Sequence, residues 1–172
     1  KNRVNISYQK RLLADREKAA FILKRLLMFL RRQLSVLAPP IRHSTWSSYR
    51  ESYCQYSDQE FEAKEKFIKA VLKETRPKHL LDIGANTGHF SIIAAESGTD
   101  VVAIDRDVDS VSALYRRVAA RKLPILPLVV DIANPTAGRG WHNAELSSFL
   151  DRARHRFDQV WMLALIHHLV AD

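Results

Sequence analysis

Apolar residues near the start of the chain recur at the spacing of one helix face. Between Gln9 and Leu37 they lie three, four or seven residues apart, which places them in one stripe at about 100° per residue. The stripe consists of Leu12, Ala19, Leu23, Leu26, Leu30, Leu34 and Leu37. Ala38-Pro39-Pro40 follows, and proline cannot continue a helix because it lacks the backbone N–H. The pattern therefore predicts a long amphipathic helix that ends at these prolines.

From Ser57 onward the pattern alternates between helix and strand. Ser57-Asp58-Gln59-Glu60 has the form of a capping box and predicts a helix that runs to about Thr75. Apolar runs predict strands at His79–Ile83, Val101–Ile104, Ile125–Val130 and Gln159–Ile166, separated by helical patterns at Phe90–Ser97, Asp107–Ala120 and Asn143–Ala153. Alternating β and α units predict an α/β fold with a parallel, doubly wound sheet. Pro127 indicates that the third strand lies at a sheet edge, because proline cannot donate to a ladder.

Charge divides the chain into two parts. Residues 1–50 have a net charge of +10 and residues 51–172 a net charge of −2, within a formal total of +8. Arg11, Lys18, Arg25 and Arg32 repeat every seven residues, away from the apolar stripe. Residues 10–32 could thus bind nucleic acid or another acidic partner, although Phe21 and Met28 interrupt a membrane-surface face. We prefer packing of this helix on its own domain or a partner, with its charges solvated, because charge alone does not identify a ligand.

Length and composition predict one globular domain with an appendage. The chain has 172 residues, of which 47% are hydrophobic, enough to form a core. We expect a basic helical extension at residues 1–40, an aromatic connector at 41–57 and the globular domain at 58–172. The connector contains Trp46, Tyr49, Tyr53 and Tyr56. We favour packing of these rings on the domain over base stacking or a substrate pocket.

The low cysteine content and the lack of a long apolar run predict the cellular compartment. Cys54 is the single cysteine, which excludes an intramolecular disulfide framework and favours the reducing cytoplasm. No run approaches the roughly 18 apolar residues of a membrane-spanning helix, and no secretory leader is visible. The first residue is Lys1, so the numbering is expected to begin inside a longer chain. A fourth strand ending near Asp172 would leave an apolar edge, so the sheet is expected to be truncated after it.

The segment after the first strand, Gly84-Ala85-Asn86-Thr87-Gly88, carries the candidate chemistry. A glycine-bearing turn lets the backbone approach a ligand, and free amides at a helix start attract its polar end. Asp105 ends the second strand, where a carboxylate can accept hydrogen bonds from both ribose hydroxyls. His89 follows Gly88 where a P-loop has lysine, and Asn86 and His89 replace two glycines of a dinucleotide fingerprint. A nucleoside without a pyrophosphate is favoured, and an NAD-dependent oxidoreductase is a weaker alternative.

These residues resemble the class I S-adenosylmethionine-dependent methyltransferases. The family's first motif, an acid followed by Gly-x-Gly-x-Gly, is similar to Asp82-x-Gly84-x-Asn86-x-Gly88, with asparagine at the middle glycine. Val101–Asp105 resembles the second motif, in which the acid holds the ribose. Val129–Ile132 resembles the third, in which the acid meets the adenine amino group and the next residue packs on the ring. Asp158–Leu169 resembles the fourth, at the floor of the methyl-acceptor pocket.

Within the family, the chain is most similar to methyltransferases grouped with host-specificity nodulation proteins. The resemblance extends over residues 46–170. It rests on Trp46–Tyr56, Ile125–Val129, Asn134-Pro135, Gly140–Glu145 and Leu163–Leu169. As a set these segments are fairly specific, but they do not identify a methyl acceptor.

The resemblance implies S-adenosylmethionine as cofactor and S-adenosylhomocysteine as product. The cofactor-binding candidates are Asp82, Gly84, Asn86, Gly88, Asp105, Arg106, Asp131, Ile132 and Leu163. His167 and His168 are candidate catalytic bases, because histidines at the carboxyl end of a strand lie where ligands bind in open α/β sheets. A structural role for both rings is the alternative. Adjacent histidines on an extended chain point to opposite faces, so no metal site is predicted.

The acceptor is narrowed by the residues of the fourth motif. Leu165-Ile166-His167-His168 occupies the place of the Asn/Asp-Pro-Pro-Tyr signature of amino-group methyltransferases. An oxygen or carbon acceptor, on a small molecule, is therefore favoured over adenine or amide nitrogen. An inactive scaffold that keeps the fold and interacts through residues 1–50 is the alternative from another class of protein.

Overall fold

A computed structural model describes residues 15–37, 44–45, 57–163 and 165–166, and its backbone separates into two compact units, 1–41 and 42–172. The first unit contains helix α1, Arg16–Val36. Asp15 caps its start by accepting the backbone N–H groups of Glu17 and Lys18, and this satisfies two of the amides that a helix start leaves open. The predicted beginning near Gln9 lies outside the described residues. Among the described helices, none is long and apolar enough to cross a membrane.

The described residues of the second unit form four α-helices and four strands. Along the chain these are α2 (Asp58–Thr75), β1 (His79–Ile83), α3 (His89–Glu96), β2 (Asp100–Asp105), α4 (Val108–Arg121), β3 (Ile125–Val129), α5 (Phe149–Ala153) and β4 (Gln159–Trp161). The predicted capping box is present at the start of α2: the Ser57 hydroxyl accepts from the Glu60 amide, while Glu60 accepts from the Ser57 amide. The helix ends at the predicted Thr75.

The strands form one parallel sheet in the order β3-β2-β1-β4. This confirms the predicted doubly wound α/β fold and the edge position of Pro127, which lies in β3. After β1 the chain moves outward through β2 and β3, then returns to pair β4 with the other side of β1. The reversal makes the carboxyl end of β1 a switch point, where open α/β sheets bind their ligands.

Alternation along the strands sends side chains to two cores, one on each face of the sheet. Leu80 of β1 packs with Ile68 of α2, Ile92 of α3 and Leu114 of α4 on one face. On the other face Leu81, Ile83, Ile104 and Phe149 form a smaller cluster, which α5 covers through its phenylalanine. The three helices on the first face thus fix the ends of β1 and β2, between which the candidate site lies.

Two predicted elements are shorter than their patterns indicate. Instead of a helix over Asn143–Ala153, the structure has a short 3-10 turn at Trp141–Asn143 and then α5, because Asn143 has a φ of 56° and Arg139 pairs antiparallel with Leu146. The predicted strand Gln159–Ile166 is wrong beyond Trp161, where pairing with β1 stops. An apolar run alone does not reveal where pairing ends.

Candidate functional site

The loop between β1 and α3 turns sharply at left-handed residues. Gly84, Asn86 and Gly88 have φ values of 74°, 51° and 77°. The amides of Gly84 and Ala85 both donate to the carbonyl of Ile104, at 2.8 and 3.0 Å, which ties the loop to the end of β2. Asparagine tolerates the left-handed region better than most residues with a side chain, so the departure from glycine at position 86 fits the observed turn.

Asp105 faces this loop from the end of β2. Its Oδ2 accepts the backbone N–H of Asn86 at 2.8 Å, and its Oδ1 accepts the N–H of Asp107 at 2.9 Å. The residue is half-buried. A carboxylate has about four acceptor positions, so the two backbone bonds leave acceptor capacity for two ligand hydroxyls. The Asp105 carboxylate therefore faces the loop and keeps acceptor positions for a ligand.

Asp107, rather than Asp105 or Asp109, caps α4. Its carboxylate accepts the amide of Ser110 at 2.9 Å and the hydroxyl of Ser44 at 2.6 Å. Burial raises the pKa of Asp107, but the hydrogen bonds from Ser110 and Ser44 outweigh it, so the pKa lies below its usual value. The cap is thus provided by a neighbouring residue, and this leaves Asp105 to the loop.

The two glycines of the loop lie close to apolar side chains. A Cβ built at Gly88 would be 2.2 Å from Cδ1 of Leu114, a buried residue of α4. A Cβ at Gly84 would be 3.1 Å from Cδ1 of Leu165, beyond the end of β4. Gly88 therefore has no room for a side chain, and the loop is packed against α4 on one side and the residues after β4 on the other.

Asp82 lies beneath the loop rather than on its surface. It is 2% exposed, and it accepts a 2.5 Å hydrogen bond from the hydroxyl of Ser91 in α3. Burial, reinforced by the nearby charge of Asp105, raises the pKa of Asp82 to about 6 against the opposing hydrogen bond from Ser91. Its position makes it a brace between β1 and α3, and its prediction as a direct cofactor ligand stays a prediction.

The raised pKa of Asp82 predicts a specific pH dependence of stability. The folded state holds this proton more tightly than the unfolded chain, so the stability that the group contributes below about pH 4 is lost as the pH rises through about 6. Asp82→Asn should remove that loss. Between about pH 4 and pH 7 the variant should gain about 2–3 kcal/mol of unfolding free energy relative to the original chain, measured by urea denaturation.

The matched control is Asp100→Asn, which removes an exposed carboxylate from the first residue of β2. Its unfolding free energy should follow that of the original chain across the same pH range. If Asp82→Asn also runs parallel to the original chain, the buried carboxyl is not the group that titrates.

The remaining predicted cofactor residues lie just beyond the carboxyl ends of β2, β3 and β4. Asp131 is exposed just after β3, and its Oδ1 accepts the amide of Ala133 at 3.0 Å. Ile132 packs on the smaller core cluster, Leu163 packs on the larger one, and Arg106 is exposed beside Asp105. Their individual roles stay predictions. The candidate bases His167 and His168, and residues 46–56 of the aromatic connector predicted at 41–57, lie outside the described residues.

A contact between α2 and α3 borders the loop and was not predicted. His89 Nε2 lies 2.7 Å from Glu65 Oε1, and the His89 ring packs against Phe61 and Phe90 with centroids 4.8 and 5.0 Å apart. The hydrogen bond with His89 lowers the pKa of Glu65 against the effect of its partial burial. The bulky residue at position 89 therefore fixes α2 against the start of α3, where a third dinucleotide-binding glycine would have allowed close packing.

Exposed Arg117 of α4 forms a hydrogen bond to the loop between β1 and α3. Its Nη1 donates to the backbone carbonyl of Thr87 at 2.8 Å. The side chain belongs to an exposed helix face, where nothing in the sequence distinguishes it from its neighbours. The contact of Ser91 with Asp82, in contrast, could have been predicted from the sequence. A hydroxyl on a buried, otherwise apolar helix face requires an acceptor, and Asp82 is nearby in sequence.

Arg117→Gln is expected to loosen the loop without unfolding the domain. One exposed hydrogen bond stabilises by about 0.5–1 kcal/mol, which corresponds to about a twofold to fivefold change in the affinity of a ligand that needs the loop. Calorimetric titration with S-adenosylhomocysteine measures it. Arg116→Gln removes the same charge from the next position and should leave the affinity unchanged. Equal losses in both variants would mean that net charge, not the Thr87 contact, matters.

Comparison with known proteins agrees with this geometry. Residues 55–171 match the family described as methyltransferase domain. The chain is 30% identical over 129 residues to nodulation protein NoeA of Rhizobium meliloti (strain 1021), which covers 74% of this chain and 26% of that protein. A structure of WbdD with the kinase inhibitor LY294002 shares the fold with a TM-score of 0.50 at 17% identity, over 81% of this chain and 30% of that one.

A crystal structure of an S-adenosylmethionine-dependent methyltransferase from Agrobacterium tumefaciens also matches. It is 21% identical with a TM-score of 0.37, over 42% of this chain and 24% of that chain. Relative to NoeA, the present chain spans about a quarter of the length.

Proposed function

The chain belongs to the methyltransferase-domain family, as a class I S-adenosylmethionine-dependent domain related to NoeA, and on that basis we propose that it binds S-adenosylmethionine in the loop after β1 and transfers its methyl group. The observation that carries the proposal is the orientation of Asp105. Its carboxylate faces the loop Gly84–Gly88 at the switch point of the sheet, with acceptor positions left for a ribose.

The residues present fit the cofactor. Left-handed Gly84, Asn86 and Gly88 shape the loop at the switch point, and the amides at the start of α3 can donate to a polar group of the ligand. Asp131, at the end of the strand next to β2, is proposed to meet the adenine amino group, and Ile132 its ring. The bound cofactor supplies an electrophilic methyl group on sulfur, and the protein's own part is to orient the reacting atoms and exclude water.

The acceptor is proposed to be oxygen or carbon of a small molecule. The support is the sequence Leu165-Ile166-His167-His168 at the place where amino-group methyltransferases have Asn/Asp-Pro-Pro-Tyr. His167 or His168 is proposed as the base that removes the acceptor's proton, because imidazole titrates near neutral pH. The single cysteine, Cys54, supports action in the cytoplasm.

Two titrations test the proposal directly. S-adenosylhomocysteine and NAD are titrated separately into the protein by calorimetry. Heat that saturates at one site per chain with S-adenosylhomocysteine, and no heat with NAD, is the expected result. Saturable binding of NAD would support an oxidoreductase instead, and binding of neither would support a scaffold that keeps only the fold.

A further inference from the structure

Helix α1 presents an unusual number of large apolar side chains to solvent. All of them are between 45% and 79% exposed. They are Phe21, Ile22, Leu23, Leu26, Leu27, Met28, Phe29, Leu30, Leu34, Val36 and Leu37. Contiguous apolar patches of this extent on a protein surface mark an interaction site.

The charges of α1 are placed beside this surface. Residues 15–37 contain six Lys or Arg against Asp15 and Glu17, and both acids lie at the helix start. At about 100° per residue, Lys24 and Arg31 fall along one border of the leucine-rich side, and Lys18, Arg25 and Arg32 fall along the other. Phe21 and Met28 fall on the opposite side of the helix, among the basic residues. The apolar side with its two basic margins is therefore formed by the remaining large apolar residues, chiefly Ile22, Leu23, Leu26, Leu27, Phe29, Leu30, Leu34 and Leu37.

We propose that α1 docks on the surface of a lipid bilayer that contains anionic headgroups. Such a surface offers both features that the helix requires: an apolar phase for the leucine-rich side and negative charge at the depth of the basic margins. Long Lys and Arg side chains reach the headgroups while their stems stay on apolar surface. An apolar side flanked by positive charge on both margins is the combination that favours an anionic bilayer surface as the occupant.

Nucleic acid and a second copy of α1 would each satisfy only one of the two features of the helix, its apolar side or its basic margins. Nucleic acid would neutralise the basic margins, but it offers no apolar phase for the leucine-rich side. A second copy of α1 would cover the leucines, but it would bring the like charges of Lys18, Arg25 and Arg32 close to those of its partner. Packing of α1 against its own domain or a partner, which the sequence favours, would cover the leucine-rich side but leave both basic margins solvated, whereas an anionic bilayer surface satisfies both features.

Vesicle sedimentation with the full chain tests the proposal. The probes are phosphatidylcholine vesicles with and without phosphatidylglycerol, at two salt concentrations. We expect binding to the anionic vesicles, weak binding to the neutral ones, and a loss of binding as salt rises. Lys24→Gln with Arg31→Gln should lower the partition coefficient about thirtyfold, since each basic residue near an anionic surface contributes about 1 kcal/mol.

Two further variants separate the charge from the apolar surface. Lys66→Gln with Lys73→Gln removes two exposed charges from α2 and should leave vesicle binding unchanged. Leu26→Gln with Leu30→Gln keeps every charge and should also abolish most binding. S-adenosylhomocysteine titration of each variant reports on the domain at residues 55–171 separately, so failure of this proposal is distinct from failure of the proposed function.

Several outcomes would overturn the proposal. These are no binding to anionic vesicles, an equal loss in the α2 variant, or vesicle binding that persists in Leu26→Gln with Leu30→Gln. Tighter binding to duplex DNA than to vesicles at the same ionic strength would assign the helix to nucleic acid. Concentration-dependent dimers that depend on Leu26 and Leu30, in a chain that ignores vesicles, would assign it to a second copy.

Discussion

Gly88→Ala is expected to abolish most S-adenosylhomocysteine binding and to destabilise the domain. Gly88 has a φ of 77°, and a Cβ there would be 2.2 Å from Cδ1 of buried Leu114. Left-handed strain and overpacking together cost about 2–5 kcal/mol. Either Leu114 shifts within the core or the loop moves away from α4, and both outcomes disturb the residues that face the ligand. Urea denaturation and calorimetric titration measure the two effects.

Gly98→Ala is the matched control for this substitution. Gly98 also has a left-handed φ, 95°, but a Cβ there would meet nothing within 4 Å. The control therefore includes the conformational strain, about 1–2 kcal/mol, without the collision. We expect it to retain ligand binding. If the two variants are equally unstable and bind equally well, the close approach of α4 to the loop has no energetic role.

Asp105→Asn is expected to weaken S-adenosylhomocysteine binding about tenfold to hundredfold. The substitution keeps the shape of the side chain, but it replaces one acceptor oxygen by a donor and removes the negative charge. Hydrogen bonds to a charged group contribute about 1.5–3 kcal/mol, and one of the two backbone donors, on Asn86 or Asp107, would face an NH₂ group instead. Calorimetry gives the affinity, and thermal unfolding shows whether the domain remains folded.

Asp100→Asn provides the comparison on the same strand. Asp100 begins β2 and Asp105 ends it, so both variants lose one carboxylate, at opposite ends of the same strand. Affinity should change only for Asp105→Asn. An unchanged affinity in both variants would mean that no ligand group is bound by Asp105, and the assignment of the ribose site would be wrong.

Much of the fold was predictable because its signals are local. Ser57 and Glu60 identify the start of α2 without tertiary context, and Pro127 identifies an edge strand because a central strand needs every backbone donor. The loop from Gly84 to Gly88 was recognisable because left-handed turns restrict the residue types that fit. Each of these signals depends on backbone chemistry, which the sequence expresses directly.

The errors arose where tertiary contacts decide the outcome. The apolar run after Trp161 reads as strand, yet Leu165 packs beside Gly84 instead of continuing the ladder, since apolar residues satisfy a core equally well from a turn. The partner of Thr87 was missed for a related reason. Arg117 reaches Thr87 only after α4 has packed on the sheet, and no short motif predicts that packing. Ser91 could have been predicted as the partner of Asp82, since a hydroxyl on a buried helix face requires an acceptor.

The loop after β1 is secured from three directions before any ligand arrives. The carbonyl of Ile104 accepts two of its amides, Asp105 accepts a third, and Arg117 binds the Thr87 carbonyl. A segment held in this way gives up little conformational entropy when a ligand enters. We therefore expect the loop to change little when a ligand binds. The heat capacity change of binding should reflect the surface that the nucleoside covers rather than any ordering of the chain.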